Sequence, residues 1–269
     1  MNGTTVADQR AEIIRVEGLT KRFGRHAAVD NVNFVLHENE VAGVIGSNGA
    51  GKTTFFNLLA GYFLPDQGTI YYRSENITRM PPQQRVARGL TRTFQLTATF
   101  DTLTVIDNLV LAFFRAHRKA SLLQLLCNTC KSQRSEPRVI EILEVFELQH
   151  LRDRLVKNLS LGEKRRLEIA MAVLVEPKVL LLDEPLAGLS ESEIQSVLNV
   201  LRQRVGRQTI LIVEHKISHV QHFLQRLTVM HEGRIIADGT YEETLAHPEV
   251  RQSYWQVDPA DEKNKAVIT

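Results

Sequence analysis

Glycines, a lysine and two threonines are spaced for phosphate chemistry at one place in this chain. Gly46-Ser47-Asn48-Gly49-Ala50-Gly51-Lys52-Thr53-Thr54 fits the pattern G-x-x-x-x-G-K-[ST]. Glycines let backbone N–H groups converge on phosphate oxygens, and a helix beginning at the lysine adds positive potential. Lys52 then reaches the β- and γ-phosphates of a nucleotide, while the Thr53 hydroxyl can ligate Mg²⁺. Such a loop must sit between a strand and a helix. Val41 to Ile45 reads as the buried strand, and Phe55, Phe56, Leu58 and Leu59 supply the apolar helix face. The pattern with both flanks in place marks residues 46–54 as a nucleotide site.

Two further stretches carry chemistry. Val179-Leu180-Leu181-Leu182-Asp183-Glu184-Pro185 is a short apolar run ending in two carboxylates. A strand of a parallel sheet, buried on both faces, reads this way. At its C-terminal edge Asp183 would help hold Mg²⁺, directly or through water, and Glu184 would polarise an attacking water. Standing alone, the run reads equally as a strand ending in a solvated acidic turn. In Asn158-Leu159-Ser160-Leu161-Gly162-Glu163-Lys164-Arg165-Arg166-Leu167, a turn of small residues opens an amphipathic helix whose N-terminus is an anion site. Ser160 and Glu163 also have the spacing of a capping box, which by itself would account for the segment.

Composition narrows the remaining classes. A chain of 269 residues with 43% hydrophobic content suits one large domain, or one core with a subdomain. Lys plus Arg, 33, against Asp plus Glu, 31, leaves a net charge of +2, too small a surplus to point to nucleic acid. No run approaches the ~18 apolar residues of a membrane helix. Residues 1–8 have neither a basic start nor an apolar stretch, so no secretory signal is expected and the chain reads as cytosolic. Cys127-Asn128-Thr129-Cys130 has no second half of a metal site elsewhere and reads as two reduced thiols. His215, His219 and His222 fall at helical spacing but lack a carboxylate or cysteine partner for zinc.

The elements that must position these residues follow from periodicity. Ile13 to Leu19 and Ala28 to Leu36 alternate as strands, and Gly68 to Tyr72 reads as another after the turn at Pro65 to Gly68. From Val105 to Leu151 the pattern is helical, with Ile106, Leu109, Val110 and Phe113 on one face and Val139, Leu143 and Phe146 on another. A basic stretch, Arg115 to Arg138, separates those helices. Leu167, Ala170, Met171 and Leu174 repeat at helical spacing, and strands follow at Val179 to Leu182, Ile210 to Val213 and Leu227 to Met230. Glu232-Gly233-Arg234 then turns into Ile235 to Ala237. A mostly parallel sheet that holds the nucleotide, interrupted by a helical insertion, fits this order.

Taken in order, the three stretches resemble the ATP-binding-cassette ATPases, the engines of ABC transporters, over residues 12–255. Ser160-Leu161-Gly162-Glu163 is similar to the family signature L-S-G-G-Q, with Leu161 for its first glycine and Glu163 for its glutamine. The resemblance implies a fold of the α/β class: a P-loop NTPase (RecA-like) core with an antiparallel β subdomain. It also implies a helical subdomain inserted at about residues 96–165, and a charged tail follows at 256–269. The implied ligands are ATP and Mg²⁺. Ser160, Gly162 and Glu163 would grip ATP bound to the opposite subunit, so that two cassettes sandwich two nucleotides. Phe23 falls where the family stacks an aromatic on adenine. Gln95 matches the glutamine that touches Mg²⁺ and water and reports to the membrane partner, and His215 matches the histidine that contacts the γ-phosphate. Where the family carries an aspartate after its acidic pair, this chain has Ser190.

Within the family the chain looks like the ATPases of branched-chain amino-acid uptake, a group that also serves urea and short amides. The residues behind this are Arg92-Thr93-Phe94-Gln95, Arg165-Arg166-Leu167-Glu168-Ile169-Ala170, Ala187-Gly188-Leu189, Val213-Glu214-His215 and the insertion at 115–138. Lipopolysaccharide-export ATPases share several of these features. The partners implied are a second ATPase subunit, membrane permease subunits and, indirectly, a periplasmic solute-binding protein, which would put the chain peripherally on the cytoplasmic face of the membrane.

Overall fold

Long stretches with apolar side chains on both faces can be buried only in the middle of a sheet. Three such pieces organise the protein: Val41–Ile45, Val179–Asp183 and Thr209–Val213, each buried along its whole length. The computed structural model describes residues 10–93, 99–117, 134–214 and 217–255. These fall into two compact units, Met1–Arg85 with Gly206–Thr269, and Val86–Val205.

The first unit contains two sheets. Strands β1 (Glu12–Phe23), β2 (His26–His37), β4 (Gln67–Tyr72) and β5 (Glu75–Asn76) form an antiparallel sheet in the order β2-β1-β4-β5. The expected antiparallel subdomain is this sheet. Strand β3 (Val41–Ile45) runs parallel to both β8 (Thr209–Val213) and β9 (Arg226–His231), and β10 (Arg234–Gly239) closes antiparallel on β9. Helix α1 (Lys52–Ala60) follows β3 and buries Phe55, Phe56, Leu58 and Leu59. Phe55 meets Phe34 of β2 edge to face, with ring centroids 5.4 Å apart.

A short helix α2 (Pro82–Ala87) places Arg85 against the end of α1. The Arg85 guanidinium is buried and donates to the carbonyls of Leu58, Leu59, Ile77, Thr78 and Met80 at 2.6–3.2 Å. Burial pulls its pKa down to about 10. The last carbonyls of a helix carry partial negative charge, and a cation placed there satisfies them.

In the second unit, β6 (Leu90–Arg92) pairs parallel with β7 (Val179–Asp183). Helices α3 (Val105–His117), α4 (Pro137–Val145) and α5 (Leu161–Leu174) pack on one another, and α6 (Glu191–Arg202) lies against α5. The faces expected on α3 and α4 are the buried ones, with Ile106, Leu109, Val110, Val139 and Leu143 all in the core. Residues 118–133, which include Cys127, Cys130 and most of the basic insertion, lie outside the described residues, as does the tail 256–269. Two short helices, α7 (Tyr241–Ala246) and α8 (Pro248–Trp255), finish the first unit. Sequence periodicity had not marked them, nor β6 and α6.

Candidate active site

The phosphate loop takes the shape its glycines predict. Gly46 has φ +157°, and a Cβ there would lie 2.2 Å from the Met230 carbonyl oxygen. Gly51, at φ +98°, leaves no room either, because its Cβ would meet the Ala28 carbonyl oxygen at 2.1 Å. Only glycine tolerates both the backbone angle and the close approach. Ser47, Asn48 and Gly49 are exposed at the crest of the loop, while Ala50 is buried beneath it. The Lys52 ammonium is buried and folds back on the loop, donating to the carbonyls of Gly46 (2.8 Å) and Ser47 (3.0 Å). Gly51 is the N-cap of α1; no side chain caps this helix, and its first turn contains no acidic residue. Thr53 and Thr54 are half-buried in that first turn. In the same unit Phe23, at the end of β1, is 49% exposed and backed edge-on by Phe63 at 5.5 Å. Its outer face is open to a planar ligand.

The paired carboxylates stand at the end of β7. Asp183 is fully buried. Arg92, from the parallel neighbour β6, donates to its Oδ2 at 2.6 Å, whereas Oδ1 is buried and accepts no hydrogen bond among the described residues. Burial pushes the Asp183 carboxyl up, and the Arg92 guanidinium opposes that shift. An orphaned carboxylate oxygen in a dry site is costly unless a cation completes it. A hard divalent ion that takes oxygen ligands fits this donor. Glu184 follows at φ +48°, a left-handed conformation uncommon for residues other than glycine, and is partly exposed.

Three residues of the signature stretch cluster at the start of α5. Ser160 is the N-cap: its Oγ accepts from the Glu163 N–H at 3.2 Å, and the Glu163 carboxylate accepts from the Ser160 N–H at 2.7 Å. The expected capping box is present. Leu161 stands 66% exposed with its side chain beside Gly188. Gly162 is buried, and a Cβ there would come within 2.7 Å of the Glu193 carboxylate. Ser190 turns out to be the N-cap of α6, donating from both its N–H (2.9 Å) and its Oγ (2.7 Å) to Glu193 Oε2. These bonds hold the Glu193 carboxyl below its usual range, with Arg166 adding attraction at 3.5 Å. Sequence reasoning missed Arg92 and Arg165 as neighbours of the acidic pair. Gln95 and His215 lie outside the described residues.

A family model described as ABC transporter matches residues 29–187. The chain belongs to the ABC transporter family. The high-affinity branched-chain amino acid transport ATP-binding protein LivG of Escherichia coli K12 is 36% identical over 248 residues, covering 90% of this chain and 97% of the relative. The lipopolysaccharide export system ATP-binding protein LptB of Haemophilus influenzae is 35% identical over 246 residues, 90% of this chain and 96% of that one. Among solved structures, the ADP conformation of an ATP-binding cassette of an ABC transporter superposes with a TM-score of 0.74 at 32% identity, covering 92% and 100% of the two chains. This ABC protein is therefore a P-loop ATPase cassette, the fold and activity expected from its motifs. No helix among its described residues is long and apolar enough to cross a membrane.

Proposed function

We propose that this ABC cassette hydrolyses ATP to power the uptake of branched-chain amino acids, or of a related small polar solute, through separate membrane subunits. The observation that carries the hydrolytic part is the end of β7. There an orphaned Asp183 oxygen and the adjacent Glu184 offer a cation ligand and a base on consecutive residues. Residues 12–255 act as one ATPase domain. The N–H groups of residues 46–54 and the Lys52 ammonium bind the phosphates, and Phe23 stacks on adenine. Thr53 and Asp183, with Gln95, would hold Mg²⁺, which when bound neutralises charge on the β- and γ-phosphates. Glu184 polarises the attacking water, and His215 contacts the γ-phosphate. Ser160, Gly162 and Glu163 act on the nucleotide of a second ATPase subunit. The assembly sits peripherally on the cytoplasmic face of a membrane, against permease subunits served by a periplasmic solute-binding protein. The transported solute touches none of these residues, so its class rests on the similarity to the LivG-type relatives. The 35% identity to LptB supports lipopolysaccharide export as the second reading.

The test is Glu184→Gln. The amide accepts and donates hydrogen bonds but cannot take a proton from water. ATP binding is expected to survive while turnover falls by about a hundredfold or more. The variant should also elute as an ATP-dependent dimer, with itself or with a partner cassette. Full turnover in this variant would move catalysis away from Glu184.

A further inference from the structure

Arg165 lies in the second turn of α5, where a charged side chain has to be accounted for: it is buried, and so is Glu168 one turn later. Its Nη1 donates to Glu168 Oε2 at 2.6 Å. Its Nη2 donates to two main-chain carbonyls, those of Asp183 and Glu184, the second at 2.8 Å. The Glu184 carbonyl accepts in addition from the Ala187 N–H at 3.1 Å. The two carbonyls held by Nη2 lie on either side of the Glu184 Cα. Their relative orientation is set by φ and ψ of Glu184, so one nitrogen bonded to both fixes that residue's backbone. The backbone it fixes is the left-handed one, φ +48°, which an L residue adopts only when its surroundings hold it there. The direction of the Cα–Cβ bond, and with it the starting point of the Glu184 side chain, follows.

We propose that Arg165 is the positioning residue for Glu184, and that it ties the aim of the base to α5, the helix that begins with Ser160, Gly162 and Glu163. The proposal rests on the reading of Glu184 as the group that polarises water. Guanidinium is suited to this task because its planar fork serves Glu168 with one nitrogen and the two carbonyls with the other. Lysine offers a single ammonium and cannot span both ends with the same geometry. Glu168 contributes by fixing the guanidinium and matching its charge in a buried place.

The experiment is a double-mutant cycle on the full chain, under conditions in which the wild type turns over, with Arg165→Lys and Glu184→Gln. ATP affinity is read alongside kcat. Arg165→Lys is expected to lower kcat by about ten- to a hundredfold, the scale of an ångström-sized misplacement, with ATP affinity unchanged within about twofold. In the Glu184→Gln background the same change should alter residual turnover by less than about twofold, since there is no base left to aim. Equal losses in both backgrounds, or unchanged kcat beside an inactive Glu184→Gln, would overturn the proposal and leave the role of Glu184 standing. An active Glu184→Gln would instead remove the reading on which the proposal depends. If Arg165→Lys fails to fold, Glu168→Gln keeps the guanidinium and loosens its anchor. A smaller kcat loss at constant affinity is then expected, and no loss would count against the proposal.

Discussion

The helices that begin at Lys52 and at Leu161 both follow a turn of small residues, yet they treat their first N–H groups in opposite ways. At α1 the N-cap is a glycine in a left-handed conformation, no side chain reaches back, and the first turn is Lys-Thr-Thr. At α5 Ser160 and Glu163 exchange hydrogen bonds and a carboxylate stands in the first turn. A carboxylate at a helix N-terminus meets the same partial positive charge that an incoming phosphate would seek. The α1 terminus is thus arranged to receive an anion from outside the chain, whereas α5 is already satisfied by its own residues. The same device recurs where Thr240 caps α7 with Glu243 and where Ser190 engages Glu193. One turn in this protein is a binding site by construction; the signature turn is complete as a helix start before any ligand arrives.

Three substitutions test that contrast. Lys52→Ala removes the cation from the open terminus, and the loss of charge-assisted bonds should weaken ATP binding by at least about tenfold and abolish turnover. Equilibrium binding of a fluorescent nucleotide checks it, and wild-type affinity would break the comparison at its stronger end. Ser160→Ala removes half of the capping box and is expected to cost about 1 kcal/mol in denaturant unfolding, while ATP affinity of the isolated chain stays unchanged. A fall in that affinity would mean that the α5 terminus serves the chain's own nucleotide. Ser190→Asp is the smallest. Aspartate caps a helix as well as serine, but it cannot donate to Glu193 and places a like charge beside it, a cost of about 0.5 kcal/mol. Nucleotide affinity should not move, and any change should be confined to hydrolysis that depends on a second cassette; a shift in affinity would show that this loop faces its own nucleotide.

What the sequence made readable was whatever depends on near neighbours. The phosphate loop, the apolar strands Val41–Ile45, Val179–Asp183 and Thr209–Val213, and the Ser160–Glu163 box are all local patterns. Ser190 was readable as well, through Glu193 three residues on, but reading it as a departure from a family aspartate hid its plainer task as a helix cap. Arg92 and Arg165 were not readable. Arg92 finds Asp183 across 91 positions of chain, and Arg165 reaches carbonyls 18 and 19 positions away, contacts that exist only once β6, β7 and α5 are packed. In the sequence Arg165 belongs to a run of charges, Lys164-Arg165-Arg166, that reads like a solvated helix face. Short β6 and the helices α6 to α8 escaped because three residues carry no period and because charged residues dilute the apolar faces of the others.

The side chains at 161 and 162 are governed by different things. Gly162 is held small by this chain's own Glu193, whose carboxylate occupies the space any β-carbon would need. Folding therefore demands glycine there, whatever the position does for a nucleotide. Leu161 answers to nothing within its own unit but a light contact with Gly188, and two-thirds of it faces outward. Of two adjacent letters in one motif, the first is free to drift under selection by whatever surface meets it, and the second is fixed by inheritance of the fold.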